Sequence, residues 1–242
     1  MSAIREAWLG YKHLSFELLA LAEGDHVLDV GCGTGEDARA IAGLVRGVAV
    51  TGLDVDEARV GEARAQTLGL PRPVDFQVGD VYALEFEDAS FDACRADRVF
   101  HHLTDPRKAL GEMARVTRPG GRLVVSDVDY DTLVVEGGDP GVTRRILEHH
   151  ADRMESGRVG RQLPGLFADA GLDPVTVHPY AAVVREDDEE VLRLRDKAAR
   201  AVEAGRIGAA EAAAWEAALE RAQRTGRFLC AVTVFTVRGY RR

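Results

Sequence analysis

The chain has 242 residues, which is enough for one large domain, or for one domain with a cap, around a sizeable core. Its 31 lysine and arginine residues stand against 40 acidic ones, so the formal net charge is -9, which argues against a nucleic-acid binder because such proteins need a basic face. No apolar run approaches the roughly 20 residues of a membrane span, and charged residues interrupt the N-terminal segment, so we expect neither a signal peptide nor an anchor.

Strand-like and helix-length segments alternate over the first half of the chain. Apolar, β-branched runs predict strands at 26–30, 48–53, 74–78, 91–96 and 123–127, with helices between them at 36–45, 57–68 and 107–117. This alternation predicts an α/β fold of the Rossmann-like kind, with a parallel sheet and helices on both faces. The pattern breaks after residue 129, where helices are predicted at 143–154 and 163–170 and late strands at 175–178 and 229–237.

Two segments lie outside the alternation. A helix is predicted over 2–21, within an N-terminal lid at 1–22, because large apolar residues recur there at spacings of three and four: Trp8, Tyr11, Leu14, Leu18 and Leu21. Residues 187–224 are strongly helical with a break near 205–208, and form most of a helical insert at 185–226. Since the insert lies between the late strands, we expect a cap on a single domain, 1–242; the alternative is a packing hairpin with no role in a site.

The segment VLDVGCGTGE, residues 27–36, is the most informative stretch. The glycines Gly31, Gly33 and Gly35 follow a buried strand and precede a helix, so the backbone can turn sharply and a ligand can approach the helix N-terminus. A dinucleotide fingerprint has glycine at its sixth position, whereas Glu36 stands here, and its carboxylate would repel a pyrophosphate. Asp29, two residues before the first glycine, suits a ligand with a positive ammonium group and no phosphate.

Acidic residues also end the next three predicted strands. Asp54, at the end of the second strand, can accept hydrogen bonds from both hydroxyls of a ribose. Asp80, after the third, can accept from an adenine amino group with Val81 against the ring, and Asp97 follows the fourth. Because parallel strands bring these ends to one edge of the sheet, they predict an adenosine site. Alternatively, each aspartate caps the helix that follows it. Capping explains any single aspartate well, but it explains poorly why all of these strand ends carry one.

The segments VLDVGCGTG, GLDVD, GDVYALEFEDASFD and RPGGRLVVSD, in this order, resemble the motif series of class I S-adenosylmethionine-dependent methyltransferases. The resemblance covers about residues 21–129 and is nearest to the branch shared by quinone-biosynthesis and bacterial small-molecule methyltransferases. It implies a seven-stranded sheet whose last strand is antiparallel, matched by 229–237, with a helical insert as a familiar variation. It also implies S-adenosylmethionine as cofactor and S-adenosylhomocysteine as product.

The resemblance further implies cofactor contacts along this edge. The glycine loop would pass beneath the methionine part and the ribose, with Asp29 near the amino group, while the second and third strand ends would hold the adenosine. The fourth strand end would contact the methionine part, often through backbone, and the N-terminal helix would close over it. The residues implied in this way are Tyr11, Asp29, Gly31, Cys32, Gly33, Gly35, Asp54, Val55, Asp80, Val81, Asp97 and Arg98.

Three residues are candidates for catalysis. Methyl transfer from a sulfonium is an in-line displacement, so the protein must align the nucleophile and, for a hydroxyl, remove its proton. His101 and His102 follow the fourth strand beside the expected methyl group, and histidine suits a base near neutral pH. Asp127 follows the fifth strand and can orient a histidine. A structural role is the alternative for either histidine, and a solvated loop position is the alternative for Asp127.

Other polar residues receive weaker assignments. Asp129, Tyr130 and Asp131 are expected to face the acceptor pocket, whereas His149 and His150 are not expected to act in catalysis. The three cysteines, Cys32, Cys94 and Cys230, form no CxxC pair, which excludes a disulfide framework and a zinc site of the usual spacing and indicates a reducing, cytoplasmic setting. Cys32 has no base beside it and is interpreted as a small filler.

We therefore expect an enzyme that methylates O, N or C of a small-molecule acceptor, by resemblance a bacterial secondary or quinone-type metabolite. It is expected to be a monomer or homodimer that uses no metal and binds neither nucleic acid nor membrane. Two rivals remain: an enzyme of the same fold that uses the bound sulfonium without methyl transfer, for instance in a cyclisation, and a non-catalytic regulatory protein that keeps the cofactor site. A dehydrogenase is a more distant alternative because of Glu36.

Overall fold

A computed structural model describes residues 3–69, 74–186 and 192–242 of the chain. In these residues one sheet has the strands β1 (His26–Val30), β2 (Ala49–Asp54), β3 (Asp75–Val78), β4 (Phe91–Asp97), β5 (Thr117–Glu136), β6 (Thr176–Val184) and β7 (Leu229–Tyr240). The order is β3-β2-β1-β4-β5-β7-β6, and β7 runs antiparallel to both of its neighbours. The predicted seven-stranded, Rossmann-like sheet with an antiparallel last strand is confirmed.

Helices cover both faces of this sheet. They are α1 (Ala3–Leu18), α2 (Glu36–Leu44), α3 (Glu57–Thr67), α4 (Pro106–Val116), α5 (Pro140–Arg153), α6 (Val159–Asp169), α7 (Leu194–Glu203) and α8 (Ala209–Arg224), with a short 3-10 turn at Phe100–His102. Consecutive residues of a strand point to opposite faces, so Val27 packs with α2 and α3 while Leu28 packs with α4 and α6.

The late strands are longer than the sequence predicts. β5 continues to Glu136 instead of ending at Asp127, and β6 continues to Val184 instead of ending at His178. The cause is tertiary pairing: β7 pairs with β5 on both sides of an irregularity between Asp129 and Val134, and with β6 along its full length. Local patterning cannot report such pairing, because strand formation depends on the neighbouring strand.

The two segments outside the alternation are helical where they are described. The predicted helix over 2–21 is α1, which ends at Leu18, shortly before the left-handed backbone of Ala20. The predicted insert contains α7 and α8, separated at the expected break, while its residues 187–191 lie outside the described part, as do residues 1 and 2 of the predicted lid. Trp215 of α8 packs against α5 and donates a hydrogen bond from Nε1 to Thr143 Oγ1 at 2.7 Å.

Two absences can be stated for the described residues alone. No helix among them is both long and apolar enough to cross a bilayer. No three His, Cys, Asp or Glu side chains of this part of the chain are grouped so that they could share a metal ion.

Candidate active site

The glycine loop between β1 and α2 is packed on one side and open on the other. Gly31 and Gly33 both have positive φ, at 68° and 54°, which glycine adopts without steric cost. A Cβ on Gly31 would lie 2.3 Å from Cγ2 of Val99, whereas a Cβ on Gly33 would meet no atom within 4 Å. The backbone N–H of Gly31 donates to Leu53 O at 2.7 Å, which anchors the loop to β2. The loop therefore has room for a ligand along Gly33.

Asp54, at the end of β2, is tied to this loop. Its Oδ2 accepts the Gly33 N–H at 2.8 Å, and its Oδ1 accepts the Asp56 N–H at 3.0 Å. Each carboxylate oxygen has a second lone-pair site, so the same group can also accept from a ligand hydroxyl. Val55 beside it is 74% exposed and offers an open apolar surface at the same edge.

The end of β3 has a different character. Asp80 is exposed, and its Oδ1 accepts the Tyr82 N–H at 2.9 Å, so it stabilises a local turn; the described residues directly after it form no helix for the carboxylate to cap. Val81 is buried in the core beneath α4 instead of lying on the open edge. The adenine contact expected of this pair stays a prediction for Asp80, and the burial of Val81 leaves little of its side chain for a ring.

Asp29 is paired within the protein. It is only 2% exposed, and its Oδ1 accepts a hydrogen bond from Arg95 at 3.0 Å. The two residues are neighbours in register on β1 and β4, so their charges meet inside the sheet layer. Arg95 also donates to Asp37 Oδ2 at 3.0 Å. Since a buried charge needs a partner, the carboxylate of Asp29 holds Arg95, and its expected place near a ligand ammonium group stays a prediction.

Asp97, at the end of β4, has an oxygen that suits a cationic ligand. Its Oδ2 lies 3.4 Å from both Arg95 and Lys12, whereas its Oδ1 is buried without a hydrogen bond from any described residue. Burial and the nearby Asp97 raise the pKa of Tyr11 well above its usual value, so this hydroxyl keeps its proton. An ammonium group at this edge would supply the donor that Oδ1 lacks.

Lys12, and not Tyr11, faces the open side of α1. Tyr11 is fully buried against Tyr180, with ring centroids 6.2 Å apart. Lys12 donates from Nζ to both oxygens of Asp37 at 2.8 Å and so ties α1 to α2 at the edge of the site. The ion pair holds α1 at the edge of the site, where Lys12 lines the cavity described next, and the expected cofactor contact of Tyr11 stays a prediction.

A cavity of about 580 Å³ extends from the glycine loop towards α5 and α7. Among the predicted site residues, Gly31, Cys32, Gly33, Asp97, Arg98, His101 and His102 line it. Those that do not are Tyr11, Asp29, Gly35, Asp54, Val55, Asp80, Val81 and Asp127. Asp54 and Val55 at the end of β2, and Asp80 and Val81 after β3, lie on the same edge of the sheet but beyond the cavity. The order of the paired strands places them there.

His101 and Asp127 form a buried pair at the wall of this cavity. His101 Nδ1 lies 2.7 Å from Asp127 Oδ1, and the backbone N–H of His101 donates to Oδ2 at 3.2 Å. Asp127 is fully buried and also accepts the Val128 N–H at 2.8 Å. Because a carboxylate accepts hydrogen bonds, Nδ1 of His101 donates to it, which leaves Nε2 as the ring nitrogen available to a substrate.

The His102 ring lies against that of His101, with centroids 3.8 Å apart and planes tilted by 46°, while the residue as a whole is exposed. Partial burial of its ring and the neighbouring His101 lower the pKa of His102 below its usual value, so the neutral ring predominates at neutral pH. No described carboxylate is hydrogen-bonded to it. The two histidines that the sequence could not tell apart thus differ in their surroundings.

The other acids after the fifth strand are used within the protein. Asp129 is buried and paired with Arg161, and Asp131 accepts from Arg158 Nε at 2.8 Å. Neither residue lines this cavity, although both are expected to face the acceptor. Tyr130 does line the cavity, and its ring lies edge-on to His101 at 5.6 Å. Burial and Asp127 raise the pKa of Tyr130 to about 12, so its phenol is protonated at neutral pH.

Sequence reasoning missed the far wall of the cavity. His150 of α5 and Met154 just after this helix, together with Leu194 and Lys197 of α7, line it. Burial, with the nearby Lys197 charge, lowers the pKa of His150 to about 3, so this histidine is a neutral ring here. No spacing signal links these residues to the glycine loop, because separate helices bring them in from more than a hundred residues away in the chain.

The family-model and sequence comparisons agree with this geometry. A family model described as "Methyltransferase domain" matches residues 28–125. An uncharacterised 37.1 kDa protein in transposon TN4556 of Streptomyces fradiae is 38% identical over 97% of this chain and 68% of its own length. The 27-O-demethylrifamycin SV methyltransferase of Amycolatopsis mediterranei is 34% identical over 72% of this chain and 58% of its own length. The chain thus spans between about half and two thirds of the length of these relatives.

The solved structure of the YcgJ protein from Bacillus subtilis shares the fold. Its TM-score is 0.69 at 21% identity, and the match covers 96% of this chain and 97% of that one. The shared fold, the glycine loop at the end of β1 and the family match over the first five strands point to one family. The chain belongs to the class I S-adenosylmethionine-dependent methyltransferases.

Proposed function

We propose that this protein transfers the methyl group of S-adenosylmethionine to a hydroxyl group of a small-molecule acceptor. The observation that carries the proposal is the buried hydrogen bond of 2.7 Å between His101 Nδ1 and Asp127 Oδ1 at the cavity wall. A hydroxyl must lose its proton as it attacks, so it needs a base, whereas a neutral amine or an activated carbon can be methylated by alignment alone.

Bound at this edge, the cofactor would supply a methyl group on a sulfonium leaving group. Nε2 of His101 would accept the proton of the acceptor hydroxyl as that oxygen is methylated. Asp127 keeps the proton of the resting imidazole on Nδ1 and stabilises the imidazolium that forms. The apolar wall residues, including Met154 and Leu194, exclude water from the reacting atoms.

Helices outside the sheet complete the site in this proposal. The insert at 185–226 acts as a cap, since α7 contributes Leu194 and Lys197 to the cavity. The segment at 1–22 acts as a lid, which is supported by the Lys12–Asp37 ion pair at the cavity edge. Both are elements of a single domain, 1–242. We propose the cytoplasm, a reducing compartment, as the place of the reaction, which is supported by the scattered positions of Cys32, Cys94 and Cys230 in the sequence.

The acceptor is proposed to be a secondary or quinone-type metabolite. The relative from Amycolatopsis mediterranei is named for O-methylation of a rifamycin, which supports both a hydroxyl acceptor and a small molecule. The lining of the cavity also supports an uncharged acceptor. Among the described residues that line it, the carboxylates are Glu36, Asp37 and Asp97, and all three lie at the cofactor end. At the His101 end the Asp127 carboxylate is fully buried and bonded to the imidazole, so it is not exposed to a cationic amine.

A paired panel of acceptors tests the proposal. Hydroxylated aromatic and polyketide compounds and their matched amine analogues are incubated with cofactor labelled in its methyl group. We expect label on oxygen, with one S-adenosylhomocysteine formed per methylated product. Label on nitrogen alone would contradict the hydroxyl assignment. Conversion of an acceptor without S-adenosylhomocysteine would favour the cyclisation alternative, and cofactor binding without any conversion would favour a regulatory protein.

Asp97 is proposed to hold the ammonium group of the cofactor. We expect Asp97→Asn to weaken binding of S-adenosylhomocysteine by about tenfold, because a charge-assisted hydrogen bond to the buried Oδ1 becomes a neutral one. Isothermal calorimetry measures the affinity, and thermal unfolding checks that the variant is folded. Asp88→Asn, at an exposed carboxylate paired with Arg115, is the matched control. Equal affinities in the Asp97 variant and the control would rule out this role.

A further inference from the structure

A second cavity, of about 750 Å³, lies along the β5 extension and beside α5. Its apolar lining includes Leu133, Val134 and Val135 of β5 and Pro140 and Leu147 of α5. Val134 is 53% exposed. The extension that the sequence did not predict therefore creates an open groove that is apolar in part, which we call the β5 groove.

The β5 groove adjoins the first cavity. Tyr130 and Leu133 line both cavities, so an acceptor that occupies both spaces must pass these two side chains. The Tyr130 ring lies 5.6 Å from the ring of His101, which places the proposed base next to this boundary. From Tyr130 to Val135 the strand rises by roughly 16 Å at about 3.3 Å per residue, somewhat less where it is irregular.

The charges around the β5 groove largely neutralise one another. Arg158 donates to Asp131 at 2.8 Å and to Asp152 at 2.7 Å, and so joins β5 to the end of α5. Arg161 is paired with Asp129 and also lies 3.5 Å from Asp131. The described lining holds equal numbers of arginines and carboxylates: Arg144, Arg158 and Arg161 with Asp131, Glu148 and Asp152. A groove that is apolar in part and has balanced charges favours a neutral ligand over a phosphate or an ammonium compound.

We propose that the β5 groove binds the apolar body of an elongated, neutral acceptor whose hydroxyl end lies at His101. This assignment rests on the proposed function, because the base defines which end of the acceptor reacts. Burial of an apolar chain along Leu133, Val134 and Val135 adds affinity in proportion to the area removed from water. Short acceptors fill only the first cavity, and the groove selects for length.

The methyl and octyl esters of para-hydroxybenzoic acid test this inference. Both carry one neutral phenol, and only the octyl ester has a chain that can reach the β5 groove. Binding of each to the protein saturated with S-adenosylhomocysteine is measured by calorimetry. We expect the octyl ester to bind the wild type about tenfold more tightly or better, and Val134→Asp to remove most of that advantage while leaving the methyl ester unchanged. The matched control is Val177→Asp, at a valine of β6 that is 41% exposed and lines neither cavity.

Several outcomes would overturn the inference. They are no octyl advantage in the wild type, an advantage that survives in Val134→Asp, or an equal loss in Val177→Asp. If the aspartate variant does not fold, Val134→Thr, which keeps the shape of the side chain, serves as a second variant. It should lose a smaller part of the octyl ester's binding advantage. Sedimentation that finds a wild-type dimer dissociated by Val134→Asp would instead assign the groove to a second copy of the chain. Binding is measured without turnover, so a failure of hydroxyl methylation appears separately, in the acceptor panel.

Discussion

Replacing His101 by alanine should lower the rate of methyl transfer by about 10²–10⁴ while leaving the affinity for S-adenosylhomocysteine nearly unchanged. The reason is that the imidazole removes a proton only as the acceptor oxygen attacks, so its loss affects the transition state and not cofactor binding. Single-turnover methyl transfer and calorimetry measure the two quantities separately.

Neighbouring variants sharpen this prediction. His102→Ala is the matched control, because His102 lines the same cavity but is exposed and lacks the carboxylate partner of His101. Its effect should be small. Asp127→Asn should reduce the rate in the same direction as His101→Ala, since the amide no longer holds the Nδ1 proton or stabilises the imidazolium. Full activity in both histidine variants would exclude His101 and His102 from the mechanism. Asp127 and Tyr130 would then be the next candidates.

Asp54→Ala should weaken cofactor binding by about a hundredfold or more. A carboxylate that accepts two ribose hydroxyls forms charge-assisted hydrogen bonds worth roughly 1.5–3 kcal/mol each. The structure adds a second cause, because Oδ2 of Asp54 also accepts the Gly33 N–H at 2.8 Å and so holds the glycine loop in place. Calorimetry with S-adenosylhomocysteine gives the dissociation constants of wild type and variant.

Asp56 provides the control for a capping role. It caps α3 by accepting the N–H groups of Ala58 and Arg59, two residues beyond Asp54. Asp56→Ala should therefore cost stability but little cofactor affinity. Asp54→Asn keeps the shape and one acceptor oxygen, and should fall between wild type and Asp54→Ala. If Asp54→Ala weakens S-adenosylhomocysteine binding by less than about threefold, which is well under 1.4 kcal/mol, Asp54 holds the glycine loop and does not bind the ribose.

Much of the cofactor side was accessible from the sequence because its signals are local. The β1–α2 turn needs glycines at Gly31 and Gly33, whose positive φ angles the structure bears out. The alternation of short β-branched runs with helix-length segments predicts a parallel sheet, and a parallel sheet brings the ends of its strands to one edge. The placement of Asp54 and Asp97 at that edge follows from these two facts without any knowledge of side-chain contacts.

The sequence by itself thus determined the order of the elements, the ligand edge and the candidate base. Only the tertiary structure decided that Asp29 faces Arg95, because the pairing depends on the register of β1 against β4. Only the tertiary structure distinguished His101 from His102, since Asp127 approaches one ring and not the other. The extension of β5, the far wall from α5 and α7, and the β5 groove likewise arise where β7 and separate helices pack. Local periodicity reflects which way a side chain points, whereas its partner is set by segments distant in the chain.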